Sequence, residues 1–234
     1  MERGMINFHA HTTHSDGDLI PAELIRRAEA AGLGGIGLSD HCDFSNIEQV
    51  LEAAITACRA ERENSRAFRV AAGVEITHVH PEQIAELVDL ARELGAEFVI
   101  VHGESPVEPV TPGTNRAAIE AGCDILAHPG FVTREDARAA AGRGVLLEIS
   151  GRSGHSLGNG CVARAAMDAG CGLIFGSDTH APEDIHGEDF AARALELAGL
   201  PRPEADRALG RSVEFMERIL RRAEDGKERV PANA

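Results

Sequence analysis

Apolar residues in this chain come in short runs, separated by stretches with a different rhythm. The runs lie around Ile6–Ala10, Ile36–Ser39, Phe68–Glu75, Phe98–His102, Ile125–His128, Val145–Ile149 and Leu173–Ser177. Runs of this length, bounded by Gly, Pro or charged residues, read as strands buried on both faces. The stretches between them repeat every three to four residues. Ile84, Leu87, Val88, Ala91 and Leu94 share one face of a helix that Pro81 opens and Gly95 ends, because a fixed φ suits a helix start and a left-handed glycine suits its stop.

The same punctuation predicts the other helices. Pro21 opens one to about Ala31, which Gly32 closes; a second starts near Ser45 or Asn46, both good caps. A short helix ends at Gly122, Thr133 caps one ending near Gly142, and Asn159 caps one running to Ala169. Helices over Pro182–Ala198 and Pro203–Ala223 finish the chain, and the tail from about 225 to 234 reads as frayed. Seven strand–helix units in strict alternation predict one α/β domain over residues 1–234, with a parallel sheet and helices outside it.

Six of the seven strands finish on an imidazole or a carboxylate: His9 and His11, then His41, Glu75, His102, His128, and finally Asp178 with His180. Any one of these is explained by an ordinary hydrogen-bonded histidine or rim residue. As a group they are not, because costly polar side chains recur at strand ends and not in the helices. His9-Ala10-His11 places two rings on the same side of an extended segment, which suits a single cation, and Asp16 follows just before Gly17. An open doubly wound sheet gathers its ligands at one switch point, whereas a closed barrel brings all its strand C-termini into one ring. The distribution therefore favours a closed (β/α)7 TIM-like barrel.

Composition narrows the chemistry. The formal net charge of −15 and the absence of Trp and Tyr disfavour a long nucleic acid, which needs a basic stripe or aromatic stacking platforms. A small phosphorylated substrate is compatible, since bound cations would offset the local charge. With 3% aromatic residues, Ala, Val, Leu and Ile are expected to fill the core. Five cysteines without a C-x-x-C pair suit a reducing cytoplasm, the N-terminus shows no signal-peptide pattern, and no apolar run approaches a membrane span. Oligomeric state is open.

The ordered set His9-Ala10-His11-Thr12-Thr13-His14-Ser15-Asp16-Gly17, Ser39-Asp40-His41, Gly73-Val74-Glu75, His102, His128-Pro129-Gly130 and Ser177-Asp178-Thr179-His180 resembles the PHP (polymerase and histidinol phosphatase) family over residues 5 to about 185. The resemblance implies a distorted seven-stranded β/α barrel, two or three divalent ions (Zn, Mn or Fe) and phosphoesterase activity. Carried over by position, His9, His11, Glu75 and Asp178 hold a first metal. Glu75 bridges to a second, held with His102 and His128, and Asp16, His41 and His180 hold a third. Some members carry His where Asp16 stands, and His14 is close enough to substitute.

The expected reaction is hydrolysis of a small phosphomonoester, with histidinol phosphate as the family's best-known example, through attack by a hydroxide held between two cations. Arg152, in the Gly/Ser loop 150–158, is the candidate phosphate contact, and His155 and His180 are candidates for proton transfer or substrate contact. His78 and His80 form a second H-x-H, a lesser candidate to touch substrate or a metal although the family does not use these positions as ligands, and Glu104 and Ser105 are lesser candidates for the rim. Three other readings stand beside this one: a phosphodiesterase or short-oligonucleotide exonuclease, an amidohydrolase-type C–N hydrolase, and a non-catalytic metal-binding scaffold. The amidohydrolase reading lacks a bridging lysine, since Lys227 is the single lysine in the chain.

Overall fold

The computed structural model describes residues 4–64 and 67–228. Its strands are β1 (Ile6–Asn7), β2 (Gly35–Leu38), β3 (His41–Cys42), β4 (Arg69–Ile76), β5 (Phe98–His102), β6 (Ile125–Ala127), β7 (Leu146–Ser150) and β8 (Leu173–Gly176). All pair in parallel, in the order β1-β2-β4-β5-β6-β7-β8, with β3 also on β4. β2 and β3 are two pieces of one strand: Gly35 is in register with Arg69, and His41 with Glu75. The interruption at Ser39-Asp40 therefore leaves seven barrel positions, as the sequence predicts.

β1 and β8 meet beyond their ends. Ala10 bridges Thr179, the His11 N–H donates to the Thr179 carbonyl at 2.8 Å, and the Thr179 N–H donates to the His9 carbonyl at 3.2 Å. The sheet is thus a nearly closed barrel whose closure runs through the residues that carry its imidazoles.

Helices α1 (Pro21–Ala30), α2 (Ile47–Asn64), α3 (Ile84–Glu93), α4 (Thr114–Ala121), α5 (Arg134–Arg143), α6 (Asn159–Ala169) and α7 (Glu188–Leu197) alternate with the strands, and α8 (Arg202–Glu228) ends the described chain. Their apolar faces and the outward faces of the strands form one aliphatic layer. The barrel's interior is a separate cluster, also mostly aliphatic, into which three phenylalanines are packed. Phe8, Phe98 and Phe215 meet at its centre, with ring centroids 5.2 Å apart for Phe8–Phe98 and 4.7 Å for Phe8–Phe215. Room for Phe98 comes from Gly37 and Gly73, where an added Cβ would lie 2.6 Å from its ring. Phe215, Met216 and Ile219 project from α8 and plug the end where the strands begin. Ser212 accepts the Ile6 N–H at 3.0 Å, and Arg211 donates to the Leu173 carbonyl at 2.8 Å.

Local differences from the sequence reading have simple causes. Thr133 caps α5 as expected, with Asp136 completing a capping box, but the helix continues through Gly142 and stops at the left-handed Gly144. Asn159 begins α6 without capping it, because its amide is engaged by both the N–H and the carbonyl of Ser150. The helix expected from Pro182 is a short 3-10 turn, Pro182–Asp184, separated from α7, so His186 lies between helices. The last helix extends to Glu228, past the expected start of the frayed tail, and residues 229–234 lie outside the described chain. No helix of the described residues is long and apolar enough to cross a membrane.

Candidate metal centre

Of the expected residues, Asp16, His41, His102, His128, Asp178 and His180 line one cleft of about 250 Å³ at the C-terminal ends of the strands, and His9, His11 and Glu75 are buried against them. Asp40, at the break between β2 and β3, organises the entry loop: it accepts from the Thr12 N–H at 2.6 Å, the Thr12 hydroxyl at 2.7 Å and the Ser15 hydroxyl at 2.7 Å. That anchoring turns the loop so that Asp16 overhangs His41 and His180.

His9 Nε2 lies 3.2 Å from Glu75 Oε2 and 3.5 Å from Asp178 Oδ1, while His11 Nε2 lies 3.4 and 3.3 Å from the same two atoms. His128 Nε2 reaches the other side of both carboxylates, 3.8 Å from Glu75 Oε1 and 3.9 Å from Asp178 Oδ2. Asp16 Oδ1 stands 3.6 Å from His41 Nε2 and 3.3 Å from His180 Nε2, and His11 completes that group. His14 is exposed and lies outside it.

These donors suit a divalent cation. His9 Nε2, His11 Nε2 and Glu75 Oε1 are buried without a hydrogen bond, a state that costs stability unless something else engages the atoms. The 3.2–3.5 Å separations of His9 and His11 Nε2 from Glu75 Oε2 and Asp178 Oδ1 match the ~3.4 Å edge of a tetrahedron with ~2.1 Å bonds to nitrogen and oxygen.

The electrostatics agree. Burial pushes the Glu75 and Asp178 carboxyls up, but the surrounding imidazoles, His9 foremost, outweigh it and hold both well below the usual range. Burial drives His11 down to about 4, and burial with His102 drives His128 down, so both rings are neutral as ligands must be. His9 is the opposite case: burial opposes charge, yet Glu148, Glu75 and Asp178 together raise it. Among the described residues, three non-glycine residues hold left-handed φ, and all three line the cleft: His78 (55°), His128 (31°) and Asp178 (54°). Such conformations persist where surrounding structure imposes them.

The PHP domain family matches residues 7–112, and His128, Asp178 and His180 follow at later strand ends. The chain belongs to the PHP family. It is 41% identical to an uncharacterized protein of Methanocaldococcus jannaschii over 92% of this chain and 98% of that one. A probable phosphatase of Shewanella sp. is 34% identical over 45% of this chain and 48% of its own. Among solved structures, histidinol phosphate phosphatase from Lactococcus lactis, complexed with zinc, L-histidinol and phosphate, superposes with a TM-score of 0.58 at 16% identity, covering 85% of this chain and 95% of that one. At that identity the likeness is one of fold.

Within this PHP barrel, Arg152 and His155 come from the loop after β7. Arg152 lines the cleft, its Nη1 donating to the Asp178 carbonyl at 3.1 Å and its Nε lying 3.7 Å from Asp178 Oδ2. His155 is buried and stacked on His128, with centroids 4.0 Å apart; its Nδ1 meets the Ser105 hydroxyl at 2.6 Å and its Nε2 faces Asp178 Oδ2 at 3.8 Å. Burial lowers its pKa. Ser105 is therefore a partner of His155, whereas Glu104 turns away from the rim to accept the Gly113 and Asn115 N–H groups. His80 lies off the cleft, its ring accepting from the Glu82 N–H.

Two carboxylates escaped the sequence reading. Glu148 interrupts the apolar run of β7 and is fully inside the barrel, 2.7 Å from His9 Nδ1. The signal for it is a charged residue within a buried run, away from the strand end. Glu108, in the Pro- and Gly-rich loop 103–113, meets His102 Nε2 at 2.9 Å. The hydrogen bond from His102 pulls its carboxyl down to about 2. Nothing in that loop's sequence distinguishes Glu108 from a solvated glutamate.

Proposed function

We propose that this chain is a metal-dependent phosphoesterase acting on small phosphomonoesters. One observation carries the reading: His9, His11, Glu75 and Asp178 converge beside a small cleft that Arg152 lines, and His9 Nε2, His11 Nε2 and Glu75 Oε1 are buried without a hydrogen bond. His9, His11, Glu75 and Asp178 would hold one cation; Glu75 and His128, with His102, a second; and Asp16, His41 and His180 a third. The mixed imidazole and carboxylate donors suit Zn²⁺, Mn²⁺ or Fe²⁺. Bound there, such ions supply Lewis acidity toward water and phosphoryl oxygens.

The chain's own groups do the rest. Arg152, fixed by the Asp178 carbonyl, presents its remaining guanidinium N–H groups to equatorial phosphoryl oxygens, where charge builds as the bond to the leaving group loosens. His155, held by Ser105 through Nδ1, directs Nε2 into the cleft and can give a proton to the departing alkoxide. The cleft's size favours a monoester over a polymer, and the Shewanella relative's description as a probable phosphatase agrees.

The test is phosphate release from a panel of phosphomonoesters, histidinol phosphate included, beside a phosphodiester and short oligonucleotides, with Mn²⁺ or Zn²⁺ added. Monoester turnover that His9→Ala abolishes supports the reading. Turnover of diesters alone, or metal binding without turnover of any phosphoester, overturns it.

A further inference from the structure

Glu108 has more partners than an ion pair requires. Its Oε2 lies 2.9 Å from His102 Nε2 and 3.2 Å from His78 Nε2, and its Oε1 lies 3.4 Å from His155 Nε2. The loop that carries it is pinned: Glu104 accepts from Gly113 and Asn115 N–H groups at 3.0 Å, Asn115 accepts the Glu104 N–H at 2.9 Å, and Ser105 holds His155. The second imidazole is brought in at a cost, since His78 sits at φ 55°. One carboxylate satisfying one histidine would not require a non-glycine residue in the left-handed region.

We propose that His78, His102 and Glu108 form a divalent-cation site at the mouth of the cleft, one that none of the nine expected ligands except His102 belongs to. The donors are two imidazole nitrogens and one carboxylate oxygen, all within 4.8 Å of one another, a set suited to zinc, manganese or iron. An imidazole nitrogen has one lone pair, so His102 Nε2 serves one cation at a time. Its near carboxylate is Glu108, at 2.9 Å, while it is His128 that approaches Glu75, at 3.8 Å. A cation on the outer position therefore draws His102 away from the Glu75 centre. With one carboxylate against two positive charges, that cation keeps a net charge toward the cleft and so attracts an anionic group.

The inference rests on the metal-binding part of the proposed function and not on the phosphate chemistry. It is tested on the full chain, stripped with a chelator and titrated with Zn²⁺ against a chromophoric competitor, with metal content measured after gel filtration. Glu108→Gln and His78→Ala should each weaken one class of sites by about tenfold or more, while His80→Ala, outside the cleft, should titrate as wild type. Glu108 and His78 side chains are 36% and 42% exposed, so neither substitution removes core packing, and circular dichroism confirms folding. Wild-type titrations from both variants overturn the site while leaving the inner centre intact. A wild type that binds no Zn²⁺ overturns the site together with the metal reading.

Discussion

Glu148 Oε1 lies 2.7 Å from His9 Nδ1 inside the barrel, where both side chains are 1% exposed. A carboxylate accepts, so His9 Nδ1 carries a proton, and Nε2 faces Glu75 and Asp178, where a bound cation would take its lone pair. The other carboxylate oxygen accepts the His128 N–H at 3.0 Å, the backbone of a residue held at φ 31°. One buried group thus orients an imidazole on β1's extension and a strained turn after β6.

Replacing that carboxylate while keeping its shape isolates the effect. In Glu148→Gln the amide can accept from His9 or meet the His128 N–H with its oxygen, but its NH2 must then face the other donor. Metal affinity should fall about 10- to 100-fold, as for other outer partners of ligating histidines. Chelator competition measures it, and unchanged affinity would remove Glu148 from the centre.

Gly176 makes the arrangement sterically possible. A Cβ there would lie 1.8 Å from Glu148 Oε1 and 3.1 Å from the His9 Cβ. Gly176→Ala should destabilise the fold by about 1–3 kcal/mol, the usual cost of overpacking, and should weaken metal binding as Glu148→Gln does. Urea unfolding and the same chelator assay check both arms.

Arg152 should behave differently. Its guanidinium meets the Asp178 carbonyl and His180 Nδ1, lies 3.7 Å from Asp178 Oδ2, and lines the cleft. Arg152→Ala should reduce kcat on the best phosphomonoester by about 100- to 1,000-fold, the scale for losing one donor to developing charge, with metal content unchanged. Loss of metal in parallel would mean that Arg152 supports Asp178 and not the substrate.

The barrel end farthest from the cleft gives an independent test of the architecture. Phe215 plugs that end against Phe8 and Phe98, so Phe215→Ala should cost about 3–5 kcal/mol by urea unfolding. Metal affinity of the folded fraction should be unchanged, because α8 meets the strands where they begin.

The barrel and most of the candidate site were legible because strand periodicity and strand-end chemistry are local. His9, His11, Glu75, His128 and Asp178 each follow or end an apolar run, and parallel pairing then has to bring them together. What was hidden depends on direction and reach. The three-phenylalanine interior requires knowing that α8 returns to the far end of the barrel. Glu108 requires the path of an irregular loop, and the role of Glu148 requires knowing that Gly176 opposite it is bare. Composition alone says nothing of these relationships.

Acid unfolding of the metal-free protein should register Glu108. The hydrogen bond from His102 holds its folded pKa at about 2, against roughly 4.3 for an unperturbed glutamate. In return, Glu108 helps raise His102 against the burial that lowers it, so the imidazole is cationic at pH 6. A carboxylate depressed on folding stabilises the folded state above its unfolded pKa, and that contribution disappears as pH falls through the folded value. Chelator-treated wild type should therefore be more stable than Glu108→Gln at pH 6, and the gap should close between about pH 4.3 and 2. Because Glu108 is partly exposed, the gap should also shrink in high salt. Guanidinium is unsuited to this measurement for that reason; urea melts at pH 6, 4 and 3 supply it. A difference that stays constant with pH would assign the loss to shape, and a difference that grows toward low pH would contradict the pairing with His102.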